Sequence, residues 1–376
     1  MNKNIRAFLL WFLQVAGICS IVLSAVCPVS CKVTDEGLQL LHGDYTAPAI
    51  ESYSVKDAFS VVVIFSKKVQ ITDAVIVPAS ETTASDDAIP SLENASESDN
   101  AVQGIISYDE AGKSVTISST EKRSVGAHYK LYGEAADGTG NTLTFCIPFT
   151  GYNDRMAHVL ISEIHPGYVS GSNRCEFVEL FVLTEGNLAG LEVYSANDGK
   201  DRGYVLPAAE VKPGDVIILH MRKKGESCID ETGDDLSAAE GTTKADYVSS
   251  KARDLWADNT KACIGDKEDV IVLLNSFSGN FIDAVLYAPA GIMSWTKDEV
   301  QNAAEAAVSE GIWHSAGPSD AVKSDGLTAT KTFARKGCLT LLDNVRKGSS
   351  ADDVIAQSSD EWYIADSKKV SPGTVE

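Results

Sequence analysis

An all-β fold is what this sequence predicts: two β-sandwich domains with one inserted helix, placed behind an N-terminal signal helix. Three observations carry that expectation. Short β-branched or alternating segments recur from residue 46 onward, separated by Gly, Pro, Asn and Asp turns. One stretch after residue 290 has helical composition, and the first 30 residues are apolar behind two basic ones. At 376 residues the chain suits two compact domains after an N-terminal segment, and 44% hydrophobic residues can build both cores.

The N-terminus comes first. Lys3 and Arg6 precede an apolar run from Ala7 to Cys27, the pattern of a secretion signal over residues 1–30. The run then reads LSAVCPVSC, small residues ahead of a cysteine. This resembles the lipobox of bacterial lipoproteins in the relaxed form of spirochaetes. The resemblance implies lipid attachment to Cys31, which follows the small Ser30, with Cys27 as second choice because Val26 is large. Pro28 stands where a strict lipobox has Leu. Plain cleavage and a retained anchor stay open as alternatives. Residues 31–45 would be the tether.

The formal charge is -21, and removing the first 30 residues with Lys3 and Arg6 takes it to -23. Such a surface repels phosphate backbones, and Lys67-Lys68, Lys223-Lys224 and Lys368-Lys369 make no basic patch, so no nucleic-acid partner is expected. With Cys31 acylated, Cys146, Cys175, Cys228, Cys263 and Cys338 remain beyond it, without zinc spacing. Cys228 and Cys263 flank one insertion and make a plausible disulfide; buried free thiols are the alternative.

Residues 46–150 form the first expected domain. Residues 59–65 read FSVVVIF, apt for a buried strand, and 74–77 make another that ends at Pro78. Residues 80–100 are Ser/Thr/Asp/Glu/Ala-rich, a solvated loop. Strands resume at 104–108 and 114–118 around an Asp-Glu-Ala-Gly turn, and a last pair, 129–133 and 142–145, flanks DGTGN. The TAP opening, FSKKV at 65–69 and the YKLYGEAADGTGN ending resemble bacterial immunoglobulin-like domains of surface-layer and adhesion proteins. That resemblance implies a spacer or adhesive module without a catalytic set.

Residues 157–376 form the second. Here the order is VLISEIHP, CEFVEL, LAGLEVY, YVLP and VKPGDVIIL. In the strand at 177–181, Phe177 and Leu180 point to opposite faces, which suits burial on both sides or a bulge. A hairpin follows from 269–274 to 281–287 across an Asn-Ser-Phe-Ser-Gly-Asn turn, then KTFAR at 331–335, Trp362 and a closing SPG. The order is similar to the lamin tail domain, an immunoglobulin-like sandwich. Insertions at 222–268 and 294–326 depart from that pattern. The second holds the one clear helix, capped by Ser294, helical over 299–308 and ended at Gly311. Trp295 and Trp313 flank it, either pinning it to the sandwich or forming an aromatic binding surface.

Catalytic motifs are missing: there is no HExxH, GxSxG or P-loop, and His42, His128, His165, His220 and His314 stand outside any motif. Glu163 and His165 share a strand face near Glu176 and Glu179, where a metal site is conceivable beside a plain sandwich role. Asp230, Glu231, Asp234 and Asp235 lack EF-hand spacing and read as a solvated acidic loop. No catalytic residues, metal or cofactor are expected. The expected function is a cell-envelope lipoprotein acting as a binding, adhesion or scaffold module, not an enzyme. It would meet the membrane through its lipid and present exposed loops to a protein or carbohydrate ligand. The alternative is a non-catalytic accessory subunit of an extracellular hydrolase or nuclease.

Overall fold

A computed structural model describes residues 44–79, 95–96, 100–167, 176–222, 228–237, 247–351, 357–365 and 372–375, together with the backbone pairing of 31–34 and 37–40. The expected signal helix and Cys27 lie outside the described residues, as does most of the 80–100 loop. Within residues 31–45, β1 (Cys31–Thr34) pairs antiparallel with β2 (Gly37–Leu40). Among the described residues no helix is long and apolar enough to cross a membrane.

Two four-stranded sheets follow. Their strands are β3 (Ile50–Val55), β4 (Ser60–Phe65), β5 (Gln70–Pro78), β6 (Val102–Gln103), β7 (Ile105–Tyr108), β8 (Ser114–Ser118), β9 (His128–Ala136) and β10 (Thr142–Thr150). One sheet runs β3-β4-β8-β7 and the other β10-β9-β5-β6. Period-two alternation builds the core between them: Val61, Val63, Phe65, Val115 and Ile117 meet Ile76, Leu131, Phe145 and Ile147. The strand expected to be buried at 59–65 is therefore buried on one face; Phe59 and Ile64 are exposed.

The next strands are β11 (Val159–His165), β12 (Phe177–Val182), β13 (Gly186–Asn187), β14 (Leu191–Ser195), β15 (Tyr204–Val205), β16 (Glu210–Val211), β17 (Val216–His220) and β18 (Arg253–Trp256). The last are β19 (Asp269–Asn275), β20 (Phe281–Ala288), β21 (Val322–Lys323), β22 (Phe333–Arg335) and β23 (Trp362–Ile364). A six-stranded sheet, β18-β17-β12-β11-β22-β23, faces a five-stranded one, β15-β14-β19-β20-β21. Val178, Leu180, Ile217, Leu219, Val272 and Val285 lie in the core between them.

The other face of the six-stranded sheet is covered as well. Helix α2 (Cys338–Arg346) lies there, its Cys338 and Leu342 packed with Phe177, Phe181, Val216 and Ile218 in a second apolar cluster. β12 is thus buried on both sides, with Phe177 and Leu180 in different clusters.

Helix α1 (Asp298–Ser309) packs on β19 and β20. Val300, Ala303, Ala304 and Ala307 are its buried stripe, the i, i+3, i+4, i+7 spacing of one helical face. It starts after Lys297 rather than at Ser294, and Gly311, at φ 76, follows its end. Among the described residues α2 is a helix beyond the one expected.

The segment 222–268 also departs from expectation. It is no plain polar insertion, because β18 inside it pairs parallel with β17, Ile217 opposite Arg253 through His220 opposite Trp256. Cys228 and Cys263 are buried and not joined in a disulfide, which favours the alternative of buried thiols over the pairing. At the linker, Asn153 Nδ2 donates to the carbonyls of Asn187 (2.9 Å) and Ala189 (2.8 Å), tying the first domain's exit to β13.

Candidate functional site

The chemistry-bearing side chains named from sequence lie on β11, β12, β17 and β18. Glu163 and Glu179 are opposed in the register of β11 and β12, next to a bulge between Ile161 and Glu163. Both carboxylates are buried: Glu163 is 5% and Glu179 1% exposed. Glu163 accepts from the Thr332 hydroxyl at 2.5 Å. Glu179 accepts from Ser162 Oγ at 2.7 Å and from the Gly373 N–H at 2.8 Å. Burial pushes Glu163 up to about 7, and burial with the neighbouring Glu163 charge pushes Glu179 up to about 8.

His165 joins neither glutamate in any described hydrogen bond. Its ring stacks on Phe177, 5.4 Å between centroids, and its Nε2 lies 3.2 Å from the Ala329 carbonyl. Glu176 turns to a third place, where Oε1 accepts the N–H groups of Cys263 (3.0 Å) and Ile264 (3.1 Å), and burial raises it to about 7. The conceivable metal set is therefore not assembled: among the described residues no three His, Cys, Asp or Glu side chains converge to hold an ion. The sixth histidine, His158, which no sequence pattern singled out, donates its backbone N–H to Thr184 Oγ1 at 2.9 Å.

A buried His–Asp contact lies farther along the same sheet. His220 Nε2 is 2.6 Å from Asp254 Oδ1, and the imidazole stacks on Trp256 with centroids 3.8 Å apart. Asp254 also accepts the Ser249 N–H (3.1 Å), and its own N–H donates to Glu231 (2.8 Å). Asp230 accepts from the Trp256 N–H (2.7 Å) and the Tyr204 hydroxyl (3.0 Å). The expected solvated acidic loop is thus half structural. Asp230 and Glu231 hold β18 in place, whereas Asp234 and Asp235 are exposed. His220 and Asp254 are both 0% exposed, and a reacting group needs contact with substrate to act on it.

Two further buried acids were not picked out by sequence reasoning. Asp269 accepts from Ser195 Oγ at 2.5 Å and the Asn197 N–H at 2.9 Å. Asp283 accepts the Ile161 N–H at 2.7 Å and lies 3.2 Å from Arg335. Burial raises both to about 6. Their signal was present, a lone Asp inside or heading an apolar strand. Trp295 and Trp313 are 8% and 3% exposed, and the Trp295 indole donates to the Ala316 carbonyl at 2.7 Å. They pin α1 to the sandwich, and the aromatic-surface reading is corrected.

Concave, polar surface occurs on the first domain. A pocket of about 440 Å³ opens between the β5–β6 edge and the loop 119–124, lined by Asn100, Ser119, Glu121, Lys122, Arg123 and Tyr129 among others. Arg123 is 4% exposed and its guanidinium lies 5.3 Å over the Phe149 ring.

Comparison with known proteins places the second domain. Residues 157–364, more than half of the chain, match the family described as TP_1001 protein second domain. An uncharacterized protein of Treponema pallidum (strain Nichols) is 32% identical over 201 residues, 51% of this chain and 49% of that one. The chain thus spans about half the length of the curated relative it matches. Among solved structures, domains 1–6 of the surface layer protein SbsC overlay at TM-score 0.23 with 14% identity, covering 67% of this chain and 28% of that one. A DUF4876 family protein from Bacteroides thetaiotaomicron VPI-5482 overlays at TM-score 0.25 with 10% identity, covering 75% and 84%.

Proposed function

The chain belongs to the TP_1001 protein second-domain family through residues 157–364, and on that footing we propose that it is an exported lipoprotein serving as a non-catalytic binding module of the cell envelope. The observation that carries this reading is where the reactive side chains lie. Glu163, His165, Glu176, Glu179, His220 and Asp254 are all 5% exposed or less and are spent on holding strands together. Sequence supports the rest: the basic and apolar N-terminus, LSAVCPVSC, and the strand order similar to lamin tail domains. In this reading a lipid on Cys31 anchors the chain, and the two sandwiches present loops and the first-domain pocket to a protein or carbohydrate ligand.

Detergent phase partitioning from native cells, with mass spectrometry of the N-terminal peptide, tests it. An acylated Cys31 in the detergent phase is expected. An unmodified N-terminus beyond Cys31 in the aqueous phase overturns the anchor.

A further inference from the structure

Arg123 is a buried cation whose described hydrogen bonds end on neutral oxygens. Its Nη1 donates to the Phe59 carbonyl (2.9 Å) and Ser119 Oγ (3.0 Å), and its Nη2 to the Asp57 carbonyl (3.3 Å). Nε is buried without a partner. No carboxylate among the described residues lies within ion-pair distance of it, although acids outnumber bases 53 to 32 in the chain. Phe149 offers one face of partial compensation. Asp57 compensates it through space without an ion pair, and burial still outweighs that help, so a charge held out of water here has room for a direct anionic partner.

The pocket that Arg123 lines has the features to admit one. Its volume of about 440 Å³ falls within the range of small-molecule sites. Lys122 also lines it, half-exposed and 2.7 Å from Asp154, and Glu121 is the one acid among the lining residues described. Ser119, Ser124, Asn100 and Tyr129 add hydroxyl and amide groups. A guanidinium flanked by such groups matches a planar or tetrahedral oxyanion.

We propose that this first-domain pocket binds a small ligand through its oxyanion group, carboxylate or phosphate, with Arg123 and Lys122 of its lining as the cations. The proposal deepens the binding-module reading and rests on it for its biological use. It does not depend on the lipid anchor, so loss of the anchor and loss of the pocket register in separate experiments.

The test is a nitrogen–proton correlation titration of the detergent-solubilised full chain, following the Arg123 Nε–H signal. Inorganic phosphate and D-glucuronate are the probes, with D-glucose as neutral control, all at constant ionic strength. The expected result is a saturable shift of Arg123 with one or both anions, and none with glucose. Which anion saturates at lower concentration identifies the phosphate or sugar-acid source. Ser124→Glu, which puts a carboxylate on the exposed pocket wall, is expected to weaken binding by about tenfold. Lys122→Ala is expected to weaken it by about threefold, the scale of a half-exposed ion pair. Both sites are exposed, so the melting temperature reports that each variant is folded. An unmoved Arg123 signal with both anions overturns the proposal, as does an equal shift with glucose or unchanged affinity in both variants.

Discussion

Glu163 and Glu179 face each other across adjacent antiparallel strands, both buried, with no cation bound to either in any described ion pair. Their folded-state values, about 7 and about 8, lie above the ordinary 4.5. A raised carboxyl means the folded state holds protons that the unfolded state releases. Their contribution is fully present below about 4.5 and is lost as pH rises through about 8. The melting temperature should therefore fall between pH 5 and pH 8. Glu176 at about 7 and Asp269 and Asp283 at about 6 act in the same direction. Glu179→Gln should flatten that slope; an unchanged slope would refute the assignment.

Arg335 is 2% exposed and lies 3.2 Å from the fully buried Asp283. Asp283→Ala would leave that buried guanidinium only its part-exposed partner Glu361, 3.2 Å from Nη2, and leave the Ile161 N–H without its acceptor. The expected cost is about 3–5 kcal/mol, read by chemical denaturation. Adding Arg335→Met should recover part of it, because the buried charge left short of one of its two carboxylate partners disappears. A double variant no more stable than the single would show that the pair is not what matters.

Trp295 and Trp313 should behave as core. Trp295→Ala is expected to cost about 3–5 kcal/mol, from the cavity and the lost bond to Ala316. It should leave the Arg123 titration unchanged. Loss of ligand binding with stability intact would instead make Trp295 a binding residue.

The linker makes a separate prediction. Asn153 satisfies two carbonyls, those of Asn187 and Ala189, and its Oδ1 accepts the Arg155 N–H at 3.0 Å. Asn153→Ala takes the side-chain donor from the Ala189 carbonyl and the acceptor from the Arg155 N–H, while the Asn187 carbonyl keeps the Ala157 N–H, at about 1–3 kcal/mol. Calorimetry should show the first domain's transition separating from the second's. A single unaltered transition would mean that other contacts couple the domains.

Cys228 and Cys263 are expected to resist thiol reagents until the protein unfolds. Burial raises the Cys263 thiol further, so little thiolate is present to react. Rapid labelling of Cys263 in the native protein would contradict that burial.

Much of this architecture is local and therefore readable in one dimension. Period-two patterns at 114–118 and 142–150, the Asn275-to-Asn280 turn and the helix near 299–308 each depend on residues a few positions apart. Even the opposed faces of Phe177 and Leu180 follow from strand geometry alone. What covers each face does not. Helix α2 begins more than 150 residues after Phe177 and covers the outer face of β12, while Glu163 and Glu179 meet Thr332 and Gly373 from equally distant parts of the chain. The parallel docking of β18 on β17 likewise decides that Asp254 meets His220 and that Glu231 is a structural acceptor. Sequence supplied the residue types and their periodicity. Tertiary packing decided which charges lose water, because desolvation depends on the elements that close over a site and not on chain neighbours.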